Sequence, residues 1–196
     1  MQPLARPYRQ IARAAATDDT RRRIVEAFEA ALRGRAIDAI TLDQVATAAG
    51  TTRQTVIRLY GGKDGLLEAV SEKIAGEVRG RRALPDRATP AQAAHAAVKD
   101  YEVIGDFIVR LLAEEERHPA LTRMLNVGRA WHRTWIGETF AHALPADPAA
   151  REARVTQCVV ALDVYTWKLL RRDFHLSVKQ AEALMAGMVA SLLVEE

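Results

Sequence analysis

Residues 45–60 read VATAAGTTRQTVIRLY, and the rest of the chain is best understood outward from them. The run divides into two short helical patterns split by Ala-Gly-Thr-Thr. In the first, Val45 and Ala46 face inward, and the small Ala46 lets another helix come close. Gly50 supplies the backbone freedom for a sharp turn. Val56 and Leu59 then plug the second helix onto the first, the steep pairing of a helix-turn-helix. Thr51, Thr52, Arg53, Gln54 and Thr55 are left projecting from the first turn of the second helix, where nothing apolar asks to be buried.

Those side chains have the chemistry to read a DNA groove. The Arg53 fork can bond two acceptors of guanine, and Gln54 can pair with adenine. Thr hydroxyls and the exposed N–H groups of a helix end can hold phosphate oxygens. Arg58 and Lys63 extend the positive surface on either side of Tyr60. A plainer reading makes Thr51 and Gln54 a capping box and leaves Arg53 and Arg58 as a solvated face. The full spacing from Thr41 to Lys63 favours DNA, as does the division of charge. Residues 1–63 hold 11 Lys or Arg against 6 Asp or Glu, whereas residues 64–196 hold 17 against 19. The overall charge of +3 is thus a basic N-terminal end on a slightly acidic remainder, as suits an end that meets a polyanion.

A chain of 196 residues with 49% hydrophobic content has room for one full core, or for a small domain joined to a larger one. One cysteine, Cys158, excludes an internal disulfide and a Cys-based zinc cluster and fits a reducing, cytoplasmic setting. The longest uncharged run, Ala183 to Val194, is too short for a membrane span. Arg and Pro interrupt any secretory core at the N-terminus, although an Arg-rich, acid-poor start can imitate a transit peptide.

The pattern predicts an all-α protein. A basic arm over residues 1–18, with Arg6, Arg9 and Arg13, precedes a first helix from about Asp19 to Arg33, capped by Thr17 or Asp18. A second helix follows the Thr41–Gln44 capping box, a third spans Thr52 to Tyr60, and a fourth starts near Lys63. Charge and two prolines place a linker near residues 79–89, which makes 19–78 the helix-turn-helix domain and 79–196 a second helical domain. In the latter, one long helix follows Thr89-Pro90, a two-faced apolar helix runs from Leu121 to Ala143, and another is predicted unbroken from Ala149 to Arg172. The last, from Ser177, carries Val178, Ala181, Met185, Met188 and Leu192 at spacings of three and four, the seam of a helix that packs lengthwise on a partner.

Residues 20–70 resemble the DNA-binding domain of the tetracycline-repressor (TetR) family of bacterial transcription regulators. The matching residues are ITLDQVATAAG from Ile40 to Gly50, then Thr55-Val56, an aromatic at Tyr60, Lys63 and Leu66-Leu67. The resemblance implies an N-terminal three-helix DNA-binding domain and a C-terminal helical ligand-binding and dimerisation domain. It further implies a homodimer that binds palindromic operator DNA and leaves it when a small effector enters the second domain. The chain departs from the family where Ile57 replaces a usual Tyr, Leu59 a His or Tyr, Tyr60 a Phe, and Gly62 a Ser or Asn. Ile57 can instead meet a thymine methyl, and Arg58 with the basic arm can supply phosphate contacts. The expected DNA-binding set is Thr41, Thr51, Thr52, Arg53, Gln54, Thr55, Ile57, Arg58, Tyr60 and Lys63.

In the second domain, Val155, Leu162, Leu169, Met185, Met188 and Leu192 are the expected dimer interface, half of a four-helix bundle across a two-fold axis; the alternative is that they pack on their own domain. Tyr101, Phe107, Met124, Trp131, His132, Trp135, Asp163 and Trp167 are the candidate ligand residues, suited to a small apolar or aromatic effector. Asp163, flanked by Leu162 and Val164, needs a partner such as Arg133 or a cationic ligand. No catalytic, cofactor or metal site is expected: there is no nucleophile elbow, Gly-rich phosphate loop or zinc-binding His pair, and Glu114 to Glu116 point around a helix, not to one side. The other function class is a helical protein-interaction module that does not read DNA sequence.

Overall fold

The structure, a computed structural model, describes residues 5–193, with side chains from residue 15 onward. Two compact units emerge, Met1–Lys73 and Ile74–Glu196. Among the described residues all regular structure is helical.

In the first unit, α1 spans Ala5–Gly34, so the helix begins well before the predicted Asp19. The expected caps are spent differently. Asp18 pairs with Arg21, and Asp19 pairs with Arg22 and Arg23, the one-turn spacing that lets charges meet along a helix that is already running. Part of the predicted arm is therefore helical, while the side chains of Arg6, Arg9 and Arg13 lie outside the described residues. Ile24, Val25, Phe28 and Leu32 form the buried stripe of α1. Glu29 is also buried, neutralised by Arg33 and by Lys73 at 2.8 Å each.

A short turn, Ile37–Ala39, leads into α2 (Leu42–Ala48), α3 (Arg53–Tyr60) and α4 (Lys63–Arg81). The predicted Thr41–Gln44 capping box is present. Val45, Ala46, Ala49 and Val56 are buried. Leu59 is half-buried. Gly65 lets α4 begin hard against the end of α3: a Cβ there would lie 2.0 Å from the Tyr60 carbonyl oxygen.

In the second unit, α5 (Pro90–Glu114) starts on a Thr89–Gln92 capping box with Pro90 in its first turn. It packs on α9 (Val178–Leu192) and α8 (Val164–Lys168), while α6 (Pro119–Thr139) and α7 (Pro148–Ala161) pack on each other. The predicted unbroken helix from Ala149 to Arg172 is in fact broken at Leu162–Asp163. Asp163 has extended backbone and caps α8, accepting the Tyr165 N–H at 2.8 Å. Beyond Lys168 the chain widens into a π turn, Leu169–Asp173. Gly105 is buried beneath Trp167, which lies so close that any side chain would meet the indole at 2.4 Å.

The expected linker is only partly a linker. α4 continues to Arg81, and Arg82 is 4% exposed. An arginine in a charged loop reads as solvated, but this one has a buried carboxylate partner, Asp100, on α5.

Candidate nucleic-acid interface

The turn between α2 and α3 is built by backbone bonds that need Gly50. Its φ of +61° lets the Thr51 N–H reach the Ala46 carbonyl at 2.9 Å and its own N–H reach Thr47 at 3.1 Å. This pair of bonds closes the C-terminus of α2 in a Schellman motif. Thr52 then caps α3, accepting the Thr55 N–H at 3.2 Å. Because the cap is Thr52 and not Thr51, the alternative Thr51–Gln54 capping box does not form.

Thr41, Thr52, Arg53, Gln54, Ile57 and Arg58 are exposed, and Thr51 and Thr55 half-buried. The nearest restraint on Arg53 is Asp43 at 3.9 Å, with both side chains mostly in solvent, an arrangement too loose to hold the guanidinium. Ile57, 43% exposed, is an apolar side chain that the unit leaves uncovered.

Two members of the expected set are otherwise engaged. The Tyr60 hydroxyl donates to the Arg21 carbonyl at 3.0 Å, and the Lys63 ammonium donates to the Ile37 carbonyl at 2.9 Å. Both are half-buried. They brace α3 and α4 against the elements before them, and they are not simply outward-facing DNA ligands. Tyr60 also lines a recess of about 440 Å³ with Arg21, Arg22, Val25, Ala69, Glu72 and Lys73.

Sequence reasoning missed Arg23. From α1 its Nη1 donates to the Ala49 carbonyl at 2.5 Å, at the C-terminal end of α2, where the helix dipole favours a cation. No local pattern marks this residue, since its partner is 26 positions away.

Residues 24–70 match the family model for bacterial regulatory proteins of the TetR family. Residues 24–70 are a TetR-family domain. Solved structures resemble most of the chain in fold. One is a putative TetR-family transcriptional regulator from a Rhodococcus species, with TM-score 0.68 and 16% identity, covering 89% of this chain and 99% of its own. Another is a transcriptional regulator from Rhodococcus sp. Rha1, with TM-score 0.66 and 16% identity over 88% of this chain and 95% of that one. A third, a putative TetR-family regulator from Mesorhizobium loti, gives 0.63 and 16% over 90% and 96%. At such identities the likeness is one of fold. No curated protein matches the sequence significantly.

In the second unit, four of the eight candidate ligand residues converge, but on the chain itself. The Arg82 guanidinium lies 4.4 Å from the Tyr101 ring centroid, 5.3 Å from Trp135 and 5.8 Å from Trp131, within range for cation–π attraction. Its Nη1 donates to His132 Nδ1 at 3.1 Å. Burial and the adjacent Arg82 charge push the His132 pKa down to about 3, so the ring is neutral and free to accept. Tyr101 donates to the Leu162 carbonyl and Trp135 to the Arg82 carbonyl.

Trp167 joins this hydrophobic cluster, donating its indole N–H to Glu102 at 2.8 Å. Phe107 and Met124 are buried but are not part of the cluster among the described residues. Asp163 finds its partner in its own backbone as a cap, and burial raises its carboxyl above the usual range. Arg133, offered as its partner, pairs with Glu152 instead. Likewise Glu115, one of the three consecutive glutamates, is held by Arg129, which lowers its pKa.

The expected dimer residues divide. Val155, Leu162 and Met185 are buried in their own unit, 7% or less exposed, and so cannot form a surface contact. Leu169 and Met188 are exposed, together with Val160, Tyr165, Phe174 and Leu184, while Leu192 is half-buried. The buried seam of α9 is Ala181, Met185 and Val189, one position out of phase with the expected Met188.

Proposed function

We propose that the protein is a cytoplasmic, ligand-responsive repressor that binds palindromic operator DNA as a homodimer. The observation that carries this reading is the uncommitted first turn of α3. Arg53 and Gln54 are solvent-facing and their helix is capped without them by Thr52, while Tyr60 ties the end of α3 to α1, Arg23 holds the end of α2 before it and Lys63 ties the start of α4 after it. A bidentate donor and an amide standing side by side on a rigid support are the parts that base readout requires.

Dimerisation follows from the geometry of DNA, because two short helices must meet half-sites about one helical turn apart. The exposed apolar residues of α8, the π turn and α9, namely Tyr165, Leu169, Phe174, Leu184 and Met188, supply the self-complementary surface. A small apolar or aromatic effector would reach the aromatic cluster beside half-buried Trp131 and compete with Arg82 for the faces of Tyr101 and Trp135.

The test is the binding of labelled duplex DNA from the region upstream of the gene, followed by anisotropy across a salt series. Affinity that falls steeply as salt rises supports the reading. Absence of tight duplex binding at low salt would favour the protein-interaction module instead.

A further inference from the structure

The end of α2 that precedes the turn and the C-terminal end of α3 are both tied to α1, and the two ties leave α1 from positions two residues apart. Before the turn, Arg23 grips the carbonyl of Ala49, the C-cap of α2. At the C-terminal end of α3, the Tyr60 hydroxyl reaches the Arg21 carbonyl at 3.0 Å. Arg23 is itself held from behind: its Nε meets Asp19 at 3.0 Å and its Nη2 meets the Thr20 hydroxyl at 3.4 Å. The guanidinium therefore reaches Ala49 already oriented. Gly50 contributes a second time here, since a Cβ at that position would stand 3.1 Å from Arg23 Nη1. Burial raises the Tyr60 pKa, so its phenol remains a donor at any physiological pH.

We infer that Arg23 and Tyr60 are positioning residues that fix the angle of α3 through a two-point clamp on α1, and so set how well the helix distinguishes one DNA sequence from another. The ring of Tyr60 and the apolar plugs Val56 and Leu59 keep α3 attached, but apolar contacts are non-directional and permit rocking. The two hydrogen bonds are directional, one holding the end of α2 just before the turn and the other the C-terminal end of α3, so that they flank the turn and the helix between them. Together they remove the rocking freedom that packing leaves. Misplacement by about 1 Å breaks bidentate geometry at a base edge while leaving diffuse attraction to phosphates nearly intact.

The inference rests on the DNA reading, and the experiment separates the two. Wild type is used to select sequences from a random duplex library. Wild type, Tyr60→Phe, Arg23→Lys and Arg23→Gln are then compared on the selected duplex and on random duplex at one salt concentration. Amide hydrogen exchange of Thr51 and of Val56 to Tyr60 is measured without DNA. Tyr60→Phe keeps the ring and removes only the hydroxyl. It is expected to lower the ratio of selected to random affinity by about threefold to tenfold, the worth of one neutral hydrogen bond, with random binding unchanged and exchange faster. Arg23→Gln should act in the same direction more strongly, and Arg23→Lys should restore part of the ratio.

Equal losses on both duplexes together with a lowered melting temperature would mean a role in fold stability alone, and would overturn the clamp. A lowered ratio with unchanged exchange would make Tyr60 a direct DNA contact, and would overturn it too, as would an unchanged ratio. If wild type selects no sequence, the DNA reading fails, and the exchange rates still decide whether the clamp holds α3.

Discussion

Arg82 Nε lies 2.8 Å from a carboxylate oxygen of Asp100, and the two side chains are 3% and 0% exposed. Arg81 reaches the other oxygen of the same carboxylate at 2.6 Å. One buried acid thus serves two consecutive arginines at the end of α4. The aromatic faces of Tyr101, Trp131 and Trp135 and the neutral ring of His132 complete the enclosure of Arg82. Removing the acid strands a guanidinium where water cannot reach it. Asp100→Ala should destabilise the protein by about 3–5 kcal/mol in chemical denaturation; a loss under about 1 kcal/mol would show that Arg82 finds water or another partner.

His132 gives stability a pH dependence of known sign. Its pKa falls from 6.5 to about 3 on folding. Below pH 6.5 the unfolded chain takes up a proton that the folded chain refuses, so this contribution is complete above pH 6.5 and drains away as pH drops toward 3. The slope is at most about 1.4 kcal/mol per pH unit. Carboxylates titrate in the same range, so the readout is the difference between wild type and His132→Asn, whose amide oxygen can still accept from Arg82. The variant's stability should fall less steeply between pH 6.5 and pH 4.

Gly65→Ala tests the junction of α3 and α4. Its Cβ would meet backbone, the Tyr60 carbonyl, which cannot turn aside as a side chain could. A loss of about 1–3 kcal/mol is expected in thermal or chemical unfolding, against a small gain for alanine at an unencumbered helical glycine. Gly76, with no atom near its added Cβ, is the control.

The helix-turn-helix was legible because its signals are local. The Thr41–Gln44 capping box and the Gly50 turn act within five residues of their partners, the buried Val56 follows just beyond the same turn, and each stands where the sequence places it. The break at Asp163 was not legible. Apolar residues continue at helical spacing on both sides of it, and only the tertiary setting decides whether an Asp between Leu162 and Val164 caps a new helix or rides within an old one. Arg82 and Arg23 were missed for a related reason: the partner that gives each its role lies 18 and 26 residues away, on an element whose placement no pattern reveals. The α9 seam was displaced by one position because Met185, Met188 and Val189 all satisfy an apolar spacing rule, and only tertiary packing buries Met185 and Val189 while leaving Met188 exposed.

Dimerisation is tested on the residues the unit leaves uncovered. Leu184 and Met188 stand one turn apart on α9, 48% and 38% exposed. Leu184→Glu with Met188→Glu should convert a dimer to a monomer in light scattering at micromolar concentration, with helicity retained. The same change at Val127, also exposed but on α6, should leave the mass unchanged.

The most direct measurement takes the outward pair at the start of α3. Arg53→Ala and Gln54→Ala are each compared with wild type on the selected duplex and on copies carrying single base changes. If α3 reads bases, each variant should lose about 1–3 kcal/mol of discrimination at its own position, while affinity for random duplex and its salt slope change little. If both variants weaken selected and random DNA by the same factor, or if neither alters any base preference, the leading turn of α3 does not read sequence.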